Sequence, residues 1–142
     1  MLVTPRTAQL LRSWLKDSAP YGEEHEKTLL AASNYAESLR LLKRSEEAKV
    51  LLCKIMPVAR RVLGESHELM LSMSWNYARA LYQNDDATLG DLCEAVTTLE
   101  ESERTARRVF GRAHPLTVDI ASCLLDVYKI LRARETPSTG AA

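Results

Sequence analysis

One block of residues recurs along this chain. Ala59 to His67 reads ARRVLGESH, and Ala106 to His114, 47 residues later, reads ARRVFGRAH. A third copy is shorter: Gly22 to His25 precedes Asn34-Tyr35-Ala36 as Gly64 to His67 precedes Asn76-Tyr77-Ala78, at a distance of 42 residues. Repeats of this length are typical of a solenoid, in which stacked units share one core that no unit could build alone. The repeat therefore predicts an array of similar units and favours a binding scaffold.

The composition supports a folded, helical protein. Of the 142 residues, 46% are hydrophobic and 27% charged, as in ordinary globular domains. Five Gly and five Pro leave little room for long loops, so we expect an all-α fold. Lys plus Arg and Asp plus Glu both number 19, and this balance argues against nucleic acid or a membrane surface as the partner. Arg6, Arg12 and Lys16 interrupt the first apolar runs, so we expect a cytoplasmic protein without a leader.

Hydrophobic periodicity and end signals predict about six helices. Gly64 is a helix stop, Ser45 and His114 are N-caps, and Thr88 with Asp91 forms a capping pair. The predicted helices are Arg6 to Asp17, Lys27 to Leu42, Ser45 to Leu63, Glu68 to Tyr82, Leu89 to Phe110, and Pro115 to about Arg132.

These helices divide the chain into repeats. Residues 1–21 form a capping half-repeat, 22–63 the first repeat, and 64–110 a second repeat with a five-residue insertion. Residues 111–133 supply only the first helix of a third repeat, and 134–142 form a polar, disordered tail.

The histidines and cysteines have ordinary structural explanations. His25, His67 and His114 share one repeat position, but stacked units hold equivalent residues too far apart to share a metal ion, so we interpret them as helix caps. Three cysteines without C-x-x-C spacing predict neither a disulfide framework nor a zinc site. We expect them to be reduced and mostly buried.

Two asparagines are more informative. Asn34 and Asn76 occupy one repeat position in the middle of a helix, where Asn is unfavourable unless its amide has a partner. The amide could form a hydrogen bond between repeats, or it could bind the backbone of a peptide by donating and accepting at once. Cys123 holds this position in the third repeat.

No pattern for catalysis stands out. The acidic stretch from Asn84 to Asp91 fails as a calcium loop, because apolar residues fall where ligands belong. The arginines near the end of the fifth helix have glutamates beside them, which is typical of a solvated, ion-paired face. We therefore expect no enzymatic activity, no metal and no cofactor.

The motifs G-x-x-H, N-Y-A-x-x-L and A-R-R-V-[LF]-G on a period of 42 residues resemble the tetratricopeptide repeats of kinesin light chains, from Gly22 to about Arg132. The full Gly-x-x-His-Pro-x-Thr pattern stands only in Gly111 to Thr117. The resemblance implies a right-handed superhelix of antiparallel helix pairs, a solenoid whose first helices line a concave groove. A HEAT-like solenoid, with an overlapping period, is the alternative fold.

The resemblance also implies a function, namely a non-catalytic adaptor that binds a protein or peptide segment in the groove. The peptide-binding residues that it implies are Asn34, Glu37, Arg40, Trp75, Asn76, Arg79, Tyr82 and Lys129. Further groove positions are Leu30, Ser33, Leu41, Ser72, Gln83, Asp119, Ser122 and Asp126. The alternative is a structural module that forms a homo-oligomer or docks onto a larger array, because the first helix of the third repeat lacks a partner.

Overall fold

The structure, a computed structural model, describes residues 23–135, with side chains from Glu26 onwards. This part of the chain is all α-helical and contains no strand. Short connectors join five helices: α1 (Glu23–Leu41), α2 (Ser45–Leu63), α3 (Glu68–Tyr82), α4 (Leu89–Phe110) and α5 (Pro115–Glu135). None of these helices is long and apolar enough to cross a membrane.

The helix bounds agree closely with the prediction, and the differences lie at the ends. The α1 helix begins at Glu23 rather than Lys27, and α5 continues to Glu135 rather than ending near Arg132, so the polar tail begins later. Arg44, not Ser45, is the N-cap of α2, and its side chain makes no capping hydrogen bond. The predicted helix at Arg6 to Asp17 and most of the predicted tail lie outside the described residues.

Histidine caps begin two of the helices, as predicted. The third prediction was wrong, because α1 begins at Glu23 and His25 lies inside it. His67 Nδ1 accepts a hydrogen bond from the backbone N–H of Leu69 at 3.0 Å, and His114 Nδ1 accepts from Leu116 at 3.1 Å. The second ring nitrogen reaches the previous repeat: Nε2 of His67 lies 3.4 Å from Glu26, and Nε2 of His114 lies 3.5 Å from Glu68. One side chain thus satisfies an orphan helix donor and links neighbouring repeats.

Removing a histidine cap should cost measurable stability. We expect His114→Ala to lower the free energy of unfolding by about 1 kcal/mol relative to His114→Asn, because asparagine can still accept the N–H of Leu116. Both variants lose the stacking of His114 on Phe110, whose ring centroids lie 4.6 Å apart, so their difference isolates the cap. Urea unfolding measures it, and equal stabilities would show that the cap contributes nothing.

The helices pack in two alternating sets. Each helix contacts the next along the chain, and the first helices of the repeats also contact one another, α1 with α3 and α3 with α5. The second helices, α2 and α4, therefore each lie between two first helices. Fully buried side chains build one core among α1, α2 and α3 and another among α3, α4 and α5: Leu29, Leu52, Ile55, Met70 and Met73 in the first, and Leu92, Leu99, Ile120 and Val127 in the second.

The prediction that the cysteines are mostly buried was wrong. Cys123 is buried, but Cys53 and Cys93 are exposed, and all three are free thiols. Each exposed cysteine follows a fully buried leucine, Leu52 or Leu92, by one residue. A single step turns the helix by about 100°, which carries the thiol from the core to the solvent.

Candidate functional site

The first helices place several of the predicted groove residues side by side. Residues from the end of α1, from α3 and its C-terminal flank, and from the middle of α5 form what we call the arginine cluster: Arg40, Trp75, Arg79, Tyr82, Gln83 and Cys123. The cluster joins α1 to α3 and α3 to α5, so it depends on the stacking of all three first helices.

Arg40 lies in the last turn of α1 and reaches toward the end of α3. Its Nη1 donates a hydrogen bond to Gln83 Oε1 at 2.9 Å, while its Nη2 lies 3.9 Å from the Glu37 carboxylate. Only 8% of the side chain is exposed. Burial, and then the positive charge of nearby Arg79, lower the pKa of Arg40 below its usual value. Its Nε is buried and has no hydrogen-bond partner among the described residues.

Arg79 is held by an aromatic ring instead of a carboxylate. Its guanidinium carbon lies 4.4 Å from the ring centroid of Trp75, one helical turn away, and this is a cation–π contact. Trp75 Nε1 in turn donates to Cys123 Sγ at 3.1 Å, which ties α3 to α5. The Nε of Arg79 is also buried without a partner in the described part of the chain.

Tyr82 and Gln83 complete the cluster at the end of α3. Gln83 Nε2 donates to the Tyr82 hydroxyl at 3.5 Å. Burial, followed by the hydrogen bond with Cys123 and the negative charge of Asp126, raises the pKa of Tyr82. The hydroxyl therefore remains neutral at physiological pH and cannot balance the charge of the two arginines.

The two repeated asparagines have different surroundings. Asn34 is half-buried, whereas Asn76 is only 6% exposed, and its Oδ1 has no hydrogen-bond partner among the described residues. That oxygen accepts no bond between repeats in the described chain. An unsatisfied buried amide oxygen is costly and calls for an explanation. Asn76 shares the face of α3 with Arg79, three residues further on.

Two other predicted residues lie outside the arginine cluster. Glu37 is half-buried beside Arg40, and Lys129 is exposed on α5, with no hydrogen bond or ion pair to another described residue. Sequence reasoning missed the contact of Cys123 with Trp75. The available signal was its repeat position, since Cys123 stands where the other repeats have Asn34 and Asn76.

A separate groove lies between α1 and α3, toward the opposite end of these helices from Arg40 and Gln83. It has a volume of about 550 Å³ near the helix N-termini and contains the predicted positions Leu30 and Ser72. Leu30 is half-exposed, so the groove offers an apolar surface beside a polar one. The complete lining is Glu26, Lys27, Leu30, His67, Glu68, Leu69 and Ser72.

This surface offers hydrogen-bonding groups in the arginine cluster and apolar area in the groove. In residues 23–135, no group of three or more His, Cys, Asp and Glu side chains is arranged to hold a metal ion. The fold and surface define an all-α protein with a donor-rich layer of first helices. Comparison with protein-family models, with curated proteins and with solved structures finds no match to this chain.

Proposed function

We propose that this protein is a non-catalytic adaptor of the tetratricopeptide type, which binds a peptide segment of another protein on its first helices. The repeat motifs and the alternating contacts of first and second helices support the array. We place it in the cytoplasm, in keeping with its free thiols.

One observation carries the proposal. Within the described chain, four buried side-chain polar atoms on first helices lack partners, and three of them lie in or beside the arginine cluster: Nε of Arg40, Nε of Arg79 and Oδ1 of Asn76. The fourth, Thr117 Oγ1, lies on α5. Leaving a buried donor or acceptor unsatisfied costs about 1–3 kcal/mol, so a fold selected for stability alone would not gather three of them. A ligand that displaces the side chains covering these atoms and pairs with them would recover that cost on binding.

The chemistry of the buried atoms without partners indicates the kind of ligand. The arginines need acceptor oxygens, and Asn76 Oδ1 needs an N–H donor. A peptide backbone supplies both, and a carboxylate side chain would match the charge of the two guanidiniums, of which that of Arg40 lies 3.9 Å from Glu37. The groove beside Leu30 would take an apolar side chain of the same peptide.

Selection of displayed peptides against the purified protein tests this proposal. We expect a recurrent motif whose affinity falls about 10- to 100-fold in the Arg40→Gln, Arg79→Gln double variant, since hydrogen bonds to charged groups contribute about 1.5–3 kcal/mol. The matched control is Arg104→Gln with Arg108→Gln, which removes two exposed arginines from α4. Failure to enrich any motif with folded protein, or equal losses in both variants, would contradict the proposal.

A substitution of Asn76 distinguishes a role in peptide binding from a role in stability. We expect Asn76→Leu to keep or raise the free energy of unfolding, because it replaces an unsatisfied buried amide by an apolar group of similar size, while affinity for the selected peptide falls at least tenfold. Thr117→Val is the matched control: Thr117 Oγ1 is also buried without a partner in the described chain, but it belongs to the groove between α4 and α5. Thermal unfolding and peptide titration of both variants give the comparison. A large loss of stability in Asn76→Leu would instead make the asparagine structural.

A further inference from the structure

The last helix carries an apolar face that the described residues leave open. Val118, Ala121, Leu125 and Tyr128 follow one another at spacings of three and four residues, and we call them the α5 face. Val118 is 51%, Leu125 59% and Tyr128 36% exposed. Large apolar side chains in a row on one helix are a sign of a missing partner.

The repeat shows what kind of partner is missing. The equivalent residues of α3, 47 positions earlier, are Leu71, Ser74, Ala78 and Leu81, and none is more than 7% exposed. Those of α1 are Leu29, Ala32, Ala36 and Leu39, and none is more than 4% exposed. The apolar ones among these residues join the core that includes the following second helix, α4 or α2. The α5 face is therefore shaped for a second helix.

A groove between α4 and α5 marks where that helix would lie. It has a volume of about 450 Å³ and includes Val118, Ala121 and Leu125 on one side and Glu103 with Arg107 on the other. Thr117 lines it with a buried hydroxyl that has no partner among the described residues. In the preceding repeat, α4 itself packs on the equivalent face of α3.

The chain contains one more sequence of the second-helix type, and it lies before α1. Shifted by 41 positions, the stretch from Thr4 to Ser18 repeats the buried pattern of α2. The pairs are Thr7 with Ala48, Leu10 with Leu51, Leu11 with Leu52, Trp14 with Ile55, Leu15 with Met56, and Ser18 with Ala59. Thr4 then corresponds to Ser45, and Pro5 follows it, a residue favoured in the first turn of a helix.

We propose that the Thr4 to Ser18 segment of a second copy occupies the groove between α4 and α5 and covers the α5 face. The two copies would join end to end, and the segment would pair with α5 as α4 pairs with α3. Each copy offers one face and one segment, so the contact is heterologous and can be repeated by further copies. This inference is independent of the proposed peptide-binding function.

The short connection between the segment and α1 prevents the segment from reaching the α5 face of its own copy. Only residues 19–22 connect the segment to α1, and the steps from Ser18 to Glu23 can span at most about 18 Å. Between α1 and α5 lies α3, and packed helix axes are about 8–10 Å apart, so a helix on the far side of α5 lies about two and a half such spacings from α1, roughly 20–25 Å. This exceeds the reach of the connection, so the segment of one copy can reach the α5 face of another copy and not its own.

A mixing experiment tests the proposal with the full chain. We expect the wild type to show a mass that rises with concentration in sedimentation equilibrium. A face variant, Leu125→Asp, and a segment variant, Leu11→Asp with Leu15→Asp, should each weaken self-association at least tenfold. Their equimolar mixture should regain a complex of two chains, because the face variant keeps its segment and the segment variant keeps its face. Val50→Asp on α2, where Val50 is as exposed as Val118, should leave association unchanged.

Other results would overturn the proposal. A wild type that is monomeric up to millimolar concentration would remove the contact altogether. A segment variant that still self-associates would show that the α5 face pairs with itself, and a mixture that stays monomeric would show that the two surfaces do not meet. Circular dichroism checks each fold. If a variant does not fold, a synthetic Thr4–Ser18 peptide added to wild-type protein should lower its mass by occupying the groove, and a peptide without effect would count against the proposal.

Discussion

Leu99→Ala is expected to lower the free energy of unfolding by about 2–5 kcal/mol, a large part of the stability of a domain of this size. Leu99 is fully buried in the core that α3, α4 and α5 share. Its truncation removes apolar contacts to neighbouring helices and leaves a cavity that packed helices close only in part. Urea unfolding gives the loss, and Leu89→Ala, an exposed leucine of the same helix, should stay within about 0.5 kcal/mol.

The same substitution should act unevenly along the array. Repeat units contact only their neighbours, so damage to the second core should open α4 and α5 before it opens α1 and α2. Hydrogen exchange of Leu99→Ala is expected to show lost protection in α5 while the amides around Leu52 stay protected. Equal loss in all helices would mean that the chain unfolds as a single cooperative unit despite its repeats.

Gly111→Ala is expected to cost about 1–3 kcal/mol through the backbone alone. Gly111 ends α4 with φ 91° and ψ 165°, and Gly64 ends α2 with φ 87° and ψ 162°, a region that only glycine occupies readily. A Cβ at Gly111 would meet no atom within 4 Å, so a steric clash does not contribute.

Gly90 provides a control of opposite sign. It lies in the first turn of α4, where a Cβ would make only ordinary contact with Thr88 Oγ1 at 3.7 Å. Gly90→Ala should therefore raise stability by about 0.5–1 kcal/mol. Thermal unfolding of the two variants should give midpoints on opposite sides of the wild type. If both midpoints fall together, the positive φ of Gly111 is not what limits the substitution.

The part of the fold that could be predicted depends on signals between residues close together in the chain. Thr88 and Asp91 form the reciprocal capping box that their spacing predicts, with both hydrogen bonds at 3.0 Å. The α2 helix ends at the predicted Gly64, α4 ends at Gly111 in the same repeat position, and two histidines cap as their repeat position indicated. The N-cap of α2 was missed by one residue, because Arg44 takes that place without using its side chain.

The candidate site could be predicted only as a set of positions. The resemblance placed Arg40, Arg79 and Asn76 on first helices, but it could not indicate that their polar atoms are buried without partners in the described chain. Trp75 and Cys123 are 48 residues apart, and only the packing of α3 on α5 brings them within 3.1 Å. Hydrogen bonds of that kind depend on distances between helices, which no spacing along the chain records.

The sequence by itself determined which stretches are helical, where most of the helices begin and end, and that they repeat, because capping bonds and helical periodicity join residues only a few positions apart. The tertiary structure alone decided which side chains are buried. It left Cys53 and Cys93 in solvent, buried Asn76, and left Leu125 exposed where the equivalent Ala78 is covered. Burial is a property of the neighbouring helices, so a residue with the same local sequence signals can be core in one repeat and open surface in the next.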